Sequence, residues 1–197
     1  MHHIYKQIID VPGVIMDFGT RWGNNLALFS IFRGIYEPFN RHRKLIGFDT
    51  FNGFPSINKK DGNSELMSKG NVACTKNYQE YLDQVMTLQE KQNPISHIKK
   101  YKIHKGDASK EIRNYLNENP ETIIALAYFD FDIYEPTKFC LENIKDRLFK
   151  GSILAFDELN DHDSPGETLA LMEVFGLQNI KLKRYPFTSR VSYFKIS

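Results

Sequence analysis

The chain has 197 residues, 41% hydrophobic and 25% charged, with a formal net charge of +2, which fits one compact domain with a real core. The basic surplus is scattered through RHRK (41–44) and HIKKYKIHK (97–105), so nucleic acid is not called for as a partner. Cys74 and Cys140 have no paired spacing and argue against a disulfide framework or a zinc site. No apolar run nears the roughly 18 residues of a membrane span, and MHHIYKQIIDVPG lacks signal-peptide regions, so the expectation is a cytoplasmic protein away from membranes.

In chain order, GVIMDFG (13–19) reads as a strand ending at Gly, and NNLALFSIFRGIYEPF (24–39) places apolar residues at helical spacing up to Pro38. KLIGFDTF (44–51) repeats the strand pattern. The long segment 52–71, with Gly and Pro, reads as a loop of a length that is uncommon without a function. An amphipathic helix is expected over 77–92, a strand at the end of 97–107 and a helix over 108–119. TIIALAYFDFD (122–132) is the most apolar strand. A helix with Pro in its first turn follows over 135–149, then a strand over 150–158, a helix over 167–177 and a terminal strand pair. Strands alternating with helices predict an α/β fold: a single domain over 1–197 with a doubly wound, mainly parallel sheet and a C-terminal antiparallel strand pair. Ligands are expected at the strand carboxyl ends.

The candidate site residues fall at those ends. In the first turn, D17-F-G-T-R-W-G-N-N25, Gly19 and Gly23 allow a tight turn and the next helix offers free amides to an anion, although glycine there is also plain turn chemistry. Asp49 ends the second strand, placed to accept from both hydroxyls of a ribose or to serve as a turn aspartate. Asp107 ends the third, placed to accept from an adenine amino group or to cap the helix starting at Ala108. Asp130 and Asp132 share one face of the fourth strand if the period of two holds. Asp157 and Glu158 tip the fifth. Neighbouring strand ends lie about 5 Å apart, so these acids can converge. Such a set is mutually destabilising without a cation, and oxygen ligands favour Mg²⁺, Ca²⁺ or Mn²⁺. The alternative is solvated acids bonded to loop amides. Asp161, His162 and Asp163 follow, placed to join such an ion or to form a polar loop, and the loop is the favoured reading.

Three stretches together resemble a known family: VIMDFGTRWGNN, LIGFDTFNGFP and AYFDFDIYEPTKFCLENIKDRLFKGSILAFDE, spanning 13–158. They are similar to the class I, Rossmann-like O-methyltransferases that use S-adenosylmethionine and a divalent metal, of the macrocin sugar type. The resemblance implies methyl transfer to a hydroxyl of a sugar, glycan or sugar-bearing metabolite. It implies that Asp17, Gly19, Thr20, Trp22, Gly23 and Asn24 face the methionine part of S-adenosyl-L-methionine. Asp49 would take the ribose with Thr50 beside it, Phe51 would lie by the adenine, and Asp107 with Ala108 would take the base. Asp130, Asp157 and Glu158 would hold Mg²⁺ or another hard divalent cation. Asp132, with Asp130, would be catalytic, Asp132 as general base.

The chain departs from the family in three places. Glu158 stands where two Asp are common, Asn24 replaces a second glycine, and few residues precede the first strand. The acceptor pocket is therefore expected from loops 56–76 and 159–166, or from a second subunit in a homodimer. Two other readings fit the same residues: a methyltransferase-like nucleoside-binding protein without turnover, and a metal-dependent hydrolase or phosphoryl-transfer enzyme. The last lacks a P-loop.

Overall fold

The computed structural model describes residues 1–197. The strands are β1 (Val14–Phe18), β2 (Leu45–Asp49), β3 (Tyr101–Lys105), β4 (Ile124–Phe129), β5 (Ile153–Phe156), β6 (Lys183–Arg184) and β7 (Ser192–Lys195). The helices are α1 (His2–Tyr5), α2 (Asn24–Tyr36), α3 (Tyr78–Gln92), α4 (Ala108–Glu118), α5 (Tyr134–Ile144) and α6 (Gly166–Phe175). The strands form one sheet in the order β3-β2-β1-β4-β5-β7-β6. The first five are mutually parallel, and β7 runs antiparallel to both β5 and β6. This is the doubly wound sheet with an antiparallel terminal pair that the sequence pattern predicts.

The pattern works because the central strands are covered on both faces. Every residue of β1, β4 and β5 is buried, so they read as continuous apolar runs rather than alternating ones. One core layer joins Met16, Phe18 and Phe129 to Ile112, Leu141 and Leu171 of α4, α5 and α6. The other joins Ile15, Leu126 and Tyr128 to Leu26, Phe29 and Met86 of α2 and α3. Pairing Asp17 with Tyr128, and Tyr128 with Ala155, carries the chain toward one edge, where the connections after β1, β2, β3, β4 and β5 all emerge.

One sequence expectation changes, and two further segments take on structural roles. β4 ends at Phe129, so Asp130 and Asp132 lie in the connection to α5, and Asp132 has φ 63°. Period-two alternation therefore does not describe them; a residue in the left-handed region breaks the pleat. The N-terminal residues form the short α1, whose Ile4 and Tyr5 are buried, with Ile8, against α2 and α3. The RHRK run is not wholly at the surface. Arg43 is buried, pairs with Glu37 at 2.9 Å and donates to the carbonyls of Ile8, Val11 and Gly13. No helix is long and apolar enough to cross a membrane.

Candidate active site

The turn from β1 to α2 is held by glycine for a specific reason. Gly19 has φ 89°, and a Cβ there would lie 1.9 Å from the Asp130 carbonyl oxygen. Only glycine lets the backbone after β4 approach so closely. Just before it, Asp17 is fully buried and neither carboxylate oxygen has a hydrogen-bond partner. The nearby Thr20 hydroxyl donates to the Asp17 carbonyl instead, at 3.1 Å. Burial pushes the Asp17 carboxyl up to about 7, against the opposing influence of Thr20 and Asn25.

Asp49, at the end of β2, accepts from the amides of Phe51 at 2.6 Å and Arg21 at 2.8 Å. Burial raises its pKa, and those two amides counter the rise. Asp107 caps α4 through the Ser109 amide at 3.0 Å and also lines the cleft between the strand ends, so capping and an exposed face coexist. That cleft has a volume of about 600 Å³, part of it open to solvent. Gly19, Asp49, Thr50, Asp107, Ala108, Asp130 and Asp132 line it, as do Arg21, Phe54 and Ile133, which the motifs did not single out.

Six of the residues expected at the donor lie elsewhere, and Asp157 and Glu158 adjoin the cleft without lining it. Thr20 is buried beneath the turn. Trp22 packs edge-on against Tyr78, ring centroids 4.7 Å apart, and does not line the cleft. Gly23 and Asn24 start α2, with Gly23 against Leu82. Phe51 is buried in the core beside α2 and α3, because its φ of 58° turns the ring inward. Asp17 lies below the cleft floor rather than on it.

On the other side of the cleft the acids converge. The Asp130 amide donates to Phe18 O and the Asp157 amide to Phe129 O, continuing the parallel ladder past the strand ends. Burial, then the charges of Asp157, Glu167, Asp17 and Glu158, push Asp130 up to about 8. Asp132 is raised by burial, a hydrogen bond to Glu158, and the charges of Glu158, Glu167 and Asp130. Asp157 accepts from the Tyr128 hydroxyl at 2.8 Å, and Glu158 from Ser164 at 2.9 Å. The nearby cation is Arg190, 3.0 Å from Asp157 and 2.5 Å from Glu158.

Glu167, which sequence reasoning missed, shapes this connection. From the first turn of α6 its Oε1 accepts from the Phe131 amide at 2.8 Å and the Asp132 amide at 3.3 Å, while Oε2 is buried without a partner. Burial pushes it up to about 7. Asp61 does similar work from the long loop, accepting from the Tyr134 and Asn58 amides at 2.6 Å each. Ser64 donates to the Asp163 carbonyl at 2.9 Å, tying the 56–76 loop to the 159–166 loop over the acids. A glutamate 35 residues away in sequence has no local signal that could have marked it.

The chemistry of the expected ligands suits a hard cation: Asp130, Asp157 and Glu158 are oxygen donors set beside the buried, unpartnered Glu167 Oε2. No three His, Cys, Asp or Glu side chains are arranged around a common point as a finished metal centre. Arg190 already occupies oxygens of two of the expected ligands.

Comparison with protein-family models and with curated proteins gives no match. Among solved structures, the O-methyltransferase NovP superposes with a TM-score of 0.69 over 100% of this chain and 78% of its own, at 16% identity. That likeness concerns the fold, which is the Rossmann-like fold of class I methyltransferases. Two structures of CalS11 are much nearer. A crystal structure described as calicheamicin methyltransferase gives a TM-score of 0.96 and 43% identity over 98% of this chain and 76% of its own. An apo structure, described as a TDP-rhamnose 3'-O-methyltransferase of calicheamicin biosynthesis, gives 0.85 and 39% over the same shares. The chain belongs to the class I O-methyltransferase family that includes CalS11, and is a methyltransferase.

Proposed function

We propose that the chain moves a methyl group from S-adenosylmethionine to a hydroxyl of a sugar or sugar-bearing metabolite, with a divalent cation assisting. One observation carries the reading: a single cleft at the strand ends brings Asp49 and Asp107 opposite Asp130 and Asp132, with Asp17 beneath. CalS11, at 39% identity in its apo structure, is described as a TDP-rhamnose 3'-O-methyltransferase, which supports the acceptor class.

The residues fit the donor. An unpartnered buried carboxylate is costly, so Asp17 suits the ammonium of a methionine moiety, directly or through water. Asp49 suits ribose hydroxyls, because its carboxylate is held in place by two backbone amides and keeps further lone pairs. Asp107 suits the base. S-adenosylmethionine supplies an electrophilic methyl group on a sulfonium sulfur.

The chain's own residues then orient the acceptor and take its proton. The hydroxyl oxygen must lie in line with the methyl carbon, and placing it correctly is the largest contribution such a site can make. Asp132 would take the hydroxyl proton as the acceptor oxygen receives the methyl group, the donor being released as the neutral thioether. Burial and Glu158 raise the Asp132 carboxyl well above the usual carboxylate range, and it can take the proton only as the carboxylate, a form that a cation held by the neighbouring acids would favour. Asp130, Asp157 and Glu158 would hold Mg²⁺ or a similar ion, which would lower the hydroxyl pKa. The test is methyl transfer from labelled donor to a panel of nucleotide-linked sugars, with D132N beside the wild type. Turnover on a sugar that falls at least about 100-fold in D132N is expected; labelling of none of the sugars would remove the acceptor class.

A further inference from the structure

The hairpin that closes the sheet brings one cation onto the acids. β6 and β7 pair through Lys183 with Tyr193 and Arg184 with Ser192, and residues 185–191 form the turn between them. The turn is bonded within itself: the Thr188 hydroxyl donates to Arg190 O at 2.7 Å, and Arg184 Nη1 to Thr188 O at 3.1 Å. It is tied to β5 by the Val191 amide, which donates to Asp157 O at 3.1 Å.

Val191 has φ 65°, a conformation that β-branched residues avoid and that persists only where the surroundings impose it. Its side chain packs against the core layer under α2 and α3, and the residue before it is thereby directed over the carboxyl edge. Arg190 Nη1 reaches both Asp157 Oδ2 and Glu158 Oε1. No other salt bridge in the molecule involves Asp130, Asp132, Asp157, Glu158 or Glu167. The Arg190 side chain is 58% exposed, so the two carboxylates, rather than packing, hold it there.

We propose that Arg190 is a tethered counter-ion: it holds Asp157 and Glu158 until a divalent cation displaces it, and the tip of the turn, 185–190, swings outward about the anchored Val191 in that exchange. The inference rests on the reading that these acids take a metal. A guanidinium stays charged at every accessible pH, so it can leave only by moving. A divalent ion bound directly needs carboxylate oxygens at roughly 2.0–2.6 Å, which places it in the volume the guanidinium fills. Arginine therefore lowers the apparent affinity for the ion by the fraction of time the pair is free. This would offset one of the pair's two negative charges when no ion is present.

The experiment is titration of the full chain with Mn²⁺, followed by electron paramagnetic resonance, for wild type, R190Q and D157N, with amide exchange of the 185–191 turn measured alongside. Expected are about tenfold tighter Mn²⁺ binding in R190Q, loss of most binding in D157N, and faster exchange across the wild-type turn once Mn²⁺ is added. Equal or weaker binding in R190Q than in wild type overturns the counter-ion role and leaves the metal reading standing. An unchanged turn in Mn²⁺-loaded wild type overturns the swing. Absence of Mn²⁺ binding in both wild type and R190Q overturns the metal reading and the exchange together.

Discussion

Buried charge is treated in opposite ways in two regions of the molecule. Beside α2 and α3, Arg33 pairs with Glu90 at 2.8 Å, Lys100 joins the same glutamate at 2.6 Å, and Arg43 pairs with Glu37. Their remaining donors are spent on backbone carbonyls, including Lys100 O for Arg33. At the carboxyl edge, Asp17, Asp130, Asp132 and Glu167 are acids set among acids, their pKa values raised first by burial. The nearby cation, Arg190, is bonded to Asp157 and Glu158. Buried charges that serve only structure are paired or replaced, because an unpaired one costs several kcal/mol. A region that keeps such a cost is held for a ligand, and perturbed acids in a cleft mark that kind of place.

The comparison breaks most visibly on the structural side. R43A would strand Glu37 and three backbone carbonyls, so chemical denaturation should show a loss of about 3–5 kcal/mol. A loss below about 1 kcal/mol would mean that the Arg43 network is not structural. On the other side, D157N removes a charge from beside Asp130. Its unfolding free energy should stay within about 1 kcal/mol of wild type or rise, while methyl transfer falls by at least about 100-fold. Equal destabilisation in R43A and D157N would erase the distinction.

The pH dependence sharpens the comparison. Asp17 has its folded pKa raised to about 7 from 3.8, so the folded state holds a proton that the unfolded state releases. That contribution is fully present below about pH 3.8 and is lost as pH rises through about 7. D17N cannot titrate. Relative to wild type in the absence of donor, its stability should therefore climb between pH 4 and 7 and level off above, by roughly 1–4 kcal/mol. Thermal unfolding across that range measures it, and parallel curves for the two proteins would contradict the assignment.

Much of this was legible in the sequence where the signal is local. Gly19, Asp49 and Asp107 sit at strand ends announced by apolar runs that stop at an acid or a glycine, and the structure puts all three on the cleft. Asp130 and Asp157 were expected to converge because neighbouring parallel strands end side by side, and they do. The rationale for Asp132 changed, since it reaches the site through a left-handed residue and not through strand alternation. What depends on distant pairing was not readable. Glu167, Asp61 and Arg190 act from 35, 73 and 33 residues away on the backbone or acids they touch. Trp22 and Phe51 follow backbone turns whose dihedral angles no spacing rule encodes, and both leave the cleft. Nor does the charge of the RHRK run tell that Arg43 is buried while its neighbours are not.

The most direct test of the central claim is calorimetric titration of wild type and D17N with S-adenosylmethionine at pH 7.5. Binding by wild type, at least about tenfold weaker in a D17N protein that is itself more stable, is the predicted result. No binding by wild type at millimolar donor would contradict the account, and equal affinity in the two proteins would remove Asp17 from the donor site.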